Sequence, residues 1–477
     1  MAFRFSRSGI LVCISLVIFL AILLLNPFYL DFNANKVIAV AVLMILLWVT
    51  EAIPMAVVAL LPLVVFPLLQ ISTLEATATA YSNPVIFLFM GGFLIGLAIE
   101  KWKLHKRIAL NIVRLTGTSG DRVVLGFIIA SGLISMWLSN TATTMMMFPI
   151  ALSVIQVMKE NHPNQHKIAN FSLALMLSIA FASNFGGIAT LIGTPPNVAY
   201  AAYIQKKYGV AIDFFKWMLV CMPISILLLV SLYIVMVKWL YPNNMKADAS
   251  TKTMIGREVA SLGVMSPAEK RVLVIFAFTA FLWITKDLLN KVSPARLDDT
   301  IIALIGAIML FVCPSGDDKN MPLLQWQDTK NMAWGILLLF GGGIALATAL
   351  EKAGLIEQLG LWLASFSNQG FMLILVITIL SIFISEVMSN VAQVIVFAPV
   401  VSSLADALQM NPLLLGIPMT LAASCASMLP MGTPPNAIVF ASGHIRLNQM
   451  TRTGFVMNVI AVLLISIFSW FVLPLVL

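Results

Sequence analysis

The sequence predicts an all-α polytopic membrane protein with roughly eleven spans, arranged as two inverted repeats that each contain a re-entrant hairpin and a broken helix. Three observations predict this fold. The 477 residues are 60% hydrophobic and only 10% charged, whereas a soluble domain carries about 25% charged residues. Long apolar runs alternate with short polar connections. The same polar motifs also occur in the same order in both halves of the chain.

The formal net charge of +8 arises mostly from Lys and Arg in short loops between apolar runs. Membrane proteins concentrate these residues in cytoplasmic loops, so the charge predicts topology and not a nucleic-acid partner. The apolar runs lack the clustered His, Asp, Glu or Cys that a membrane-embedded enzyme would need. We therefore expect no catalytic residues and no enzymatic activity, and the predicted surroundings are the lipid bilayer. A channel is a further alternative, but it would not need two inverted pairs of broken helices.

Residues 1–35 are predicted to form an N-terminal span. Arg4 and Arg7 precede an apolar run from Ile10 to Leu25, and no small-residue cleavage site follows that run. We expect a retained helix with a cytoplasmic N-terminus, not a cleaved signal peptide. An odd number of crossings would then place the C-terminus outside. The predicted location is the inner (cytoplasmic) membrane, which the chain crosses many times.

Two repeats flank a polar linker in the predicted organisation. Four apolar segments differ from simple spans, because two are long and polar in the middle and two contain a proline pair. A proline pair ends a helix, and lipid tolerates such a break only inside protein or beside a water-filled cavity. The predicted parts are a first repeat at 36–240 (hairpin about 122–157, broken helix about 168–207), a cytoplasmic linker at 241–270, and a second repeat at 271–477 (hairpin about 370–400, broken helix about 411–445).

The motifs of the two repeats match each other. Gly-Gly, Ser-Asn and Gly-Thr-Pro-Pro-Asn follow one another in both halves, and an odd number of crossings separates the copies. The halves are therefore predicted to be inverted, as in many secondary transporters, whose binding site lies near the middle of the membrane. The matched motifs are Gly91-Gly92 with Gly341-Gly342, Ser139-Asn140 with Ser389-Asn390, and Gly193-Thr194-Pro195-Pro196-Asn197 with Gly432-Thr433-Pro434-Pro435-Asn436.

The Ser139-Asn140-Thr141 motif lies in the middle of its apolar segment, where the tip of a hairpin is predicted. The N-terminus of a helix at that tip would offer free amide donors and a favourable dipole to an anion. Hydroxyl groups can donate to carboxylate oxygens, and an Asn side chain can donate to an anion while its carbonyl ligates a cation. The alternative is that these side chains only form hydrogen bonds between helices.

The Gly-Thr-Pro-Pro-Asn motifs are predicted to complete the site. Glycine lets the backbone approach a ligand closely, and the prolines release upstream carbonyls that can bind sodium. The alternative is a simple kink, with Asn197 and Asn436 as caps of the restarted helices.

Lys and Arg are missing from all these motifs, so a bound dianion would need bound cations for charge compensation. Moving a dianion inward against 100 mV costs about 4.6 kcal/mol, which two sodium ions would cancel and a third would exceed.

Glu386 is the one acidic residue close to a motif, three positions before Ser389. A carboxylate inside a membrane segment is a functional candidate by default, for example in proton coupling. The matching position of the first repeat is Met136, so the repeats do not share this acid. We therefore predict that Glu386 has a structural role and holds the hairpin through local hydrogen bonds.

The sequence resembles the divalent anion/sodium symporter family of di- and tricarboxylate and sulfate carriers along nearly the whole chain. The motifs that carry the resemblance are Met90-Gly91-Gly92-Phe93-Leu94, Leu104-His105-Lys106-Arg107-Ile108-Ala109-Leu110, Ser139-Asn140-Thr141-Ala142-Thr143-Thr144, Gly193-Thr194-Pro195-Pro196-Asn197 and Pro430-Met431-Gly432-Thr433-Pro434-Pro435-Asn436-Ala437. The resemblance implies a homodimer in which scaffold and transport domains move in an elevator motion. The implied activity is uptake of small dicarboxylates (succinate, malate, fumarate) with co-transported sodium ions. Anion exchange, or citrate or sulfate transport on the same fold, is the alternative.

The resemblance also implies the site residues. The implied substrate-binding residues are Ser139, Asn140, Thr141 and Thr194 from the first half, with Ser389, Asn390, Val391, Thr433 and Pro434 from the second. The implied sodium ligands are Ser135, Ser139, Asn140 and Gly193 at one site, and Ser385, Met388, Asn390 and Gly432 at the other, where Met388 and Gly432 would act through backbone carbonyls. Val391 stands where some members of the family have Thr, which removes one hydroxyl and leaves the choice of substrate open.

Overall fold

The computed structural model describes residues 7–161, 164–243, 245, 249–292, 296–316, 321–365 and 370–476. Over this part of the chain the regular structure is helical, apart from one isolated β-bridge between Pro314 and Pro322. The prediction of an all-α protein is therefore confirmed.

The first half begins with α1 and ends with a π-helical turn after α12. Side chains cap several of these helices. The Asp31 carboxylate, for instance, accepts from the backbone N–H of Ala34 at 2.9 Å, and Pro84 occupies the first turn of α6. The helices are α1 Arg7–Leu25, α2 Phe32–Thr50, α3 Met55–Val58, α4 Leu61–Leu68, α5 Leu74–Ala78, α6 Pro84–Lys101, α7 Leu104–Thr116, α8 Gly120–Ser135, α9 Asn140–Asn161, α10 Gln165–Gly187, α11 Pro195–Tyr208 and α12 Phe214–Tyr233, with a 3₁₀ turn at Thr79–Ser82 and the π turn at Ile234–Leu240.

The predicted linker contains a helix, α13 Ala249–Ser261, which packs against α7 and α9. Lys106 of α7 forms an ion pair with Glu258 of α13 at 3.3 Å. The Arg107 guanidinium forms an ion pair with Glu269, near the end of the predicted linker, at 2.9 Å. The linker therefore attaches to the first half over part of its length, a feature that its polar composition did not reveal.

The second half repeats the order of the first. Its helices are α14 Pro267–Val292, α15 Asp299–Val312, α16 Trp334–Lys352, α17 Leu355–Ser365, α18 Phe371–Ser385, α19 Asn390–Ala407, α20 Pro412–Ala423, α21 Pro434–Phe440, α22 Leu447–Phe471 and α23 Leu473–Val476, with a 3₁₀ turn at Trp326–Asn331. Helices α6 to α12 and α16 to α22 correspond one to one, and the interruptions fall at the duplicated motifs. The turns between hairpin arms lie at 136–139 and 386–389, and the unwound segments lie at 188–194 and 424–433.

Ten helices within the described ranges are long and apolar enough to cross a membrane. Five shorter apolar stretches of 10–17 residues accompany them, among them α18 and α20. These two are one arm of the second predicted hairpin and the first piece of the second predicted broken helix. The protein is therefore a multi-pass membrane protein, and the expected number of roughly eleven spans is close to the number of full-length helices.

The restarted helices pack across the boundary between the halves. Helix α21 of the second half contacts α9 and α10, and α11 of the first half contacts α19 and α20. Helix α10 is buried continuously from Phe171 to Gly187, which explains why its sequence is apolar on all sides. Because each restarted helix packs against helices of the other half, both Gly-Thr-Pro-Pro-Asn motifs and both hairpin turns lie around one central cavity.

Candidate substrate and cation site

A cavity of about 380 Å³ lies where the hairpin turns meet the unwound segments. Its volume falls within the range of small-molecule sites, about 300–1,000 Å³. All nine predicted substrate-binding residues line it: Ser139, Asn140, Thr141, Thr194, Ser389, Asn390, Val391, Thr433 and Pro434. Both halves therefore contribute to one shared cavity, and neither Ser-Asn motif is turned away from it.

The first group of predicted sodium ligands is compact. The Ser135 hydroxyl donates to Asn140 Oδ1 at 2.6 Å. Gly193 fits against the hairpin turn because a Cβ there would lie 3.0 Å from the carbonyl oxygens of both Ser135 and Met136. Hydroxyl, amide and carbonyl oxygens thus converge beside the first hairpin turn, and oxygen atoms are the ligands that hard cations prefer.

The second group repeats this arrangement. The Ser385 hydroxyl lies 2.7 Å from Asn390 Oδ1 and 2.6 Å from the Ala423 carbonyl oxygen. Met388 is in the turn between α18 and α19, and Gly432 lines the cavity. We call the two groups the first and second cation corners, the first made of Ser135, Ser139, Asn140 and Gly193, and the second of Ser385, Met388, Asn390 and Gly432.

The Asn side chains of the Gly-Thr-Pro-Pro-Asn motifs hold the unwound segments in place. Asn197 Nδ2 donates to the Thr190 carbonyl at 2.8 Å, and Asn436 Nδ2 donates to the Leu429 carbonyl at 3.2 Å. The suggestion that they cap the restarted helices is therefore wrong, because their amides bind carbonyls upstream of the prolines. Thr433 is the residue whose hydroxyl caps α21, accepting from the backbone N–H of Asn436 at 3.3 Å.

Asn184 is a site residue that the sequence reasoning missed. It lies on α10, is fully buried and lines the cavity. Its Oδ1 accepts from Asn140 Nδ2 at 3.4 Å, and its Nδ2 donates to Thr433 Oγ1 at 3.1 Å. Asn184 thus connects the hairpin turn of one half to the broken helix of the other. The available signal was an amide side chain near the end of the long apolar run that follows Asn170.

Glu386 is almost completely buried and has no ion-pair partner within the described part of the chain. Its carboxylate accepts from three consecutive backbone N–H groups of the second unwound segment and from a side-chain amide of α22. The donors are Ser427 N at 2.8 Å, Met428 N at 2.8 Å, Leu429 N at 2.9 Å and Asn458 Nδ2 at 2.7 Å. These contacts support the prediction of a structural role, although they reach a different segment and not the hairpin itself.

Glu51 is the sole ionisable side chain among the described residues that line the cavity, so Lys and Arg are missing from the lining. It follows α2 with φ of +48°, a left-handed conformation that few non-glycine residues adopt. The sequence reasoning did not single it out. Because the wall supplies no positive side chain, an anion bound here needs cations from solution.

The described residues contain no group of three or more His, Cys, Asp or Glu that could hold a transition metal. The donors at the two cation corners are neutral oxygens, which suit a hard monovalent cation. This donor set fits sodium.

Comparison with known proteins identifies the family. A sequence profile described as the sodium:sulfate symporter transmembrane region matches residues 7–477. The chain belongs to this family. The family assignment confirms the resemblance noted from the motifs.

Members of the family with similar sequences are the sodium-dependent dicarboxylate transporters SdcS of two staphylococci. The chain is 38% identical to the protein of Staphylococcus saprophyticus over 466 residues, which cover 96% of this chain and 90% of that protein. It is 39% identical to the protein of Staphylococcus aureus strain USA300 over 470 residues, which cover 97% of this chain and 90% of that protein.

Two solved transporter structures share the fold at low sequence identity. The YdaH transporter of Alcanivorax borkumensis gives a TM-score of 0.55 at 16% identity and covers 84% of this chain and 87% of its own. MtrF of Neisseria gonorrhoeae gives a TM-score of 0.55 at 12% identity and covers 83% of each chain. At this identity the likeness concerns the fold alone.

Proposed function

We propose that this protein is a secondary active transporter that takes up small dicarboxylates, such as succinate, malate and fumarate, together with sodium ions. The observation that carries the proposal is the cavity itself: two oxygen-rich corners flank a space without Lys or Arg. Such a site binds a dianion well only when cations accompany it. The names of the staphylococcal relatives support the same substrate class and the same coupling ion.

The proposed roles follow from the chemistry of each group. Sodium would bind at the two cation corners through side-chain oxygens and the backbone carbonyls of Gly193, Met388 and Gly432. The substrate carboxylates would lie between the corners, held by hydroxyls of Ser and Thr and by the first N–H groups of α9 and α19. The residues proposed for the carboxylates are Ser139, Asn140, Thr141, Thr194, Ser389, Asn390 and Thr433, with Val391 and Pro434 as apolar walls.

Binding of sodium before the dianion follows from this charge distribution. The described lining of the cavity contains no positive side chain that would attract an anion, whereas two bound sodium ions would neutralise a dicarboxylate. Carrying the dianion inward against 100 mV costs about 4.6 kcal/mol, and each co-transported sodium returns about 2.3 kcal/mol. A third sodium ion would therefore make uptake electrically favourable.

The repeated helix order supports two inverted repeats, at 36–240 and 271–477, joined by the linker at 241–270. With a cytoplasmic N-terminus, α1 and α2 cross outward and back, so Glu51 would lie towards the cytoplasm. An odd total of crossings would leave the C-terminus outside. Because Glu51 lines the cavity, the cavity would face inward in this conformation. Reaching the other side would need the hairpins and broken helices to move as one transport domain against a scaffold, in the elevator motion expected for a homodimer.

The proposal is tested by uptake of labelled succinate into proteoliposomes that contain the purified protein. We expect uptake with an inward sodium gradient and little uptake when choline or potassium replaces external sodium. Equal uptake in all three salts would contradict symport and favour exchange. Unlabelled malate, fumarate, citrate and sulfate, each added as a competitor, would separate a dicarboxylate carrier from a citrate or sulfate carrier on this fold.

A further inference from the structure

The two cation corners are supported differently behind their ligands. In the first corner, the Thr190 hydroxyl lies within hydrogen-bond distance of the Met136 carbonyl, which belongs to the hairpin turn. The backbone N–H of Gly193 donates to the same hydroxyl at 3.1 Å. A neutral side chain thus connects the first hairpin turn to the first unwound segment.

In the second corner, a charged side chain makes this connection. Glu386 occupies the position that matches Met136, and its carboxylate accepts from the N–H groups of residues 427–429. The Leu429 carbonyl in turn accepts from the backbone N–H of Gly432 at 3.1 Å. The carboxylate therefore fixes the segment that leads directly into a proposed sodium ligand.

The Glu386 carboxylate also lies beside the proposed ligands themselves. A Cβ on Gly432 would lie 3.1 Å from Glu386 Oε2, so the backbone of Gly432 runs next to this oxygen. Met388, the other proposed backbone ligand, is two positions further along the same turn. The four donors to the carboxylate are neutral, so none of them offsets a negative charge on this side chain.

We propose that Glu386 is a positioning residue for the second cation corner and that its negative charge makes this corner the tighter of the two sodium sites, occupied first as sodium concentration rises. The inference rests on the proposed sodium coupling. It assigns the charge to one corner only, because Met136 offers none at the other. Glu386 would act on sodium at short range through a poorly solvated interior, where charges interact strongly.

The test compares Glu386→Gln, which keeps the shape but removes the charge, with Glu386→Asp, which keeps the charge. Sodium binding is read without transport, as the rise in the melting temperature of purified protein with increasing NaCl, at constant ionic strength made up with choline chloride. We expect Glu386→Gln to raise the sodium concentration of half-maximal stabilisation roughly tenfold or more, and Glu386→Asp to restore part of the loss. In Glu386→Gln, the stabilisation that wild-type protein gains at low sodium concentrations should be the part that disappears.

Two controls make the result specific. Ser135→Ala, at the first corner, should weaken mainly the high-concentration part of the titration. Met136→Leu should leave the titration unchanged, because it replaces an uncharged side chain of similar size at the matching position. In succinate uptake, Glu386→Gln should raise the half-saturating sodium concentration more than it lowers the maximal rate, a split that a purely structural defect would not produce.

The outcomes separate the inference from the proposed function. Wild-type protein that takes up succinate without sodium would contradict the proposed coupling. Sodium-dependent wild-type protein combined with an unchanged titration in Glu386→Gln would overturn the role of Glu386 alone. If Glu386→Gln does not fold, Asn458→Leu removes one donor and loosens the carboxylate. A half-maximal concentration raised roughly threefold then supports the inference, and an unchanged value overturns it.

Discussion

Two acidic regions in the interior of this protein differ in whether a basic side chain pairs with the carboxylates. Lys286 of α14 forms ion pairs with Asp213, at the start of α12, and with Asp299, at the start of α15. Among the described residues, all the donors to the Glu386 carboxylate are neutral. The first region carries its own permanent cation, whereas the second leaves the charge to a cation that can leave. The difference indicates that the proposed site requires the absence of a lysine, since a fixed cation beside Glu386 would compete with sodium.

The largest effect is expected where the exchangeable cation and the substrate share a ligand. Asn140→Ala and Asn390→Ala each remove an amide that faces both a cation corner and the cavity, so succinate uptake should fall by at least about 100-fold. Uptake into proteoliposomes measures the loss, and gel filtration together with the melting temperature without sodium verifies folding. Wild-type uptake in both variants would show that the cavity does not bind the substrate during transport.

The permanent cation should instead control stability. Lys286→Met leaves the buried Asp299 and the partly buried Asp213 without the cation that pairs with them. Breaking a buried ion pair in this way costs about 3–5 kcal/mol. We expect a markedly lower melting temperature in detergent, with little change in the half-maximal sodium concentration of the folded fraction. Lys291→Met, at an exposed position near the end of the same helix, is the matched control and should change neither quantity. A changed sodium affinity with an unchanged melting temperature would contradict this prediction, because Lys286 would then act on the cation site and not on stability.

The sequence predicted most of the site because its motifs interrupt helices at recognisable positions. Proline pairs and Ser-Asn motifs within apolar runs indicated breaks close to the turns at 136–139 and 386–389. All nine substrate-binding candidates that the family resemblance implied line one cavity. The sequence analysis missed Asn184 and Asn458, because each gains its role from partners that are dozens of residues or more away in the chain. The same reason hid the Lys286 ion pairs, which join three helices.

Asn184 allows a test of how the two corners communicate. Asn184→Ala removes the amide that joins Asn140 to Thr433 and so breaks the hydrogen bonds to both, each worth about 0.5–1.5 kcal/mol. We expect a roughly tenfold loss of succinate kcat/KM and a less steep dependence of uptake on sodium. Ser178→Ala is the control, since Ser178 is equally buried on α10 and its hydroxyl has no partner within the described structure. Equal effects of the two variants would reduce Asn184 to a packing role.

The smallest effect is expected at Val391, where the two Ser-Asn motifs differ in their third residue. Val391→Thr adds a hydroxyl to the cavity wall at the position that matches Thr141 of the first repeat, and it changes the side-chain volume little. A hydroxyl can donate to a carboxylate, but the net value of such a bond is only about 0.5–1.5 kcal/mol, so selectivity should shift by no more than about tenfold. The measurement is the ratio of citrate to succinate as competitors of labelled succinate uptake. Because the cation corners are unchanged, the half-saturating sodium concentration should stay constant, and a shift in it would indicate that the wall and the corners are not independent.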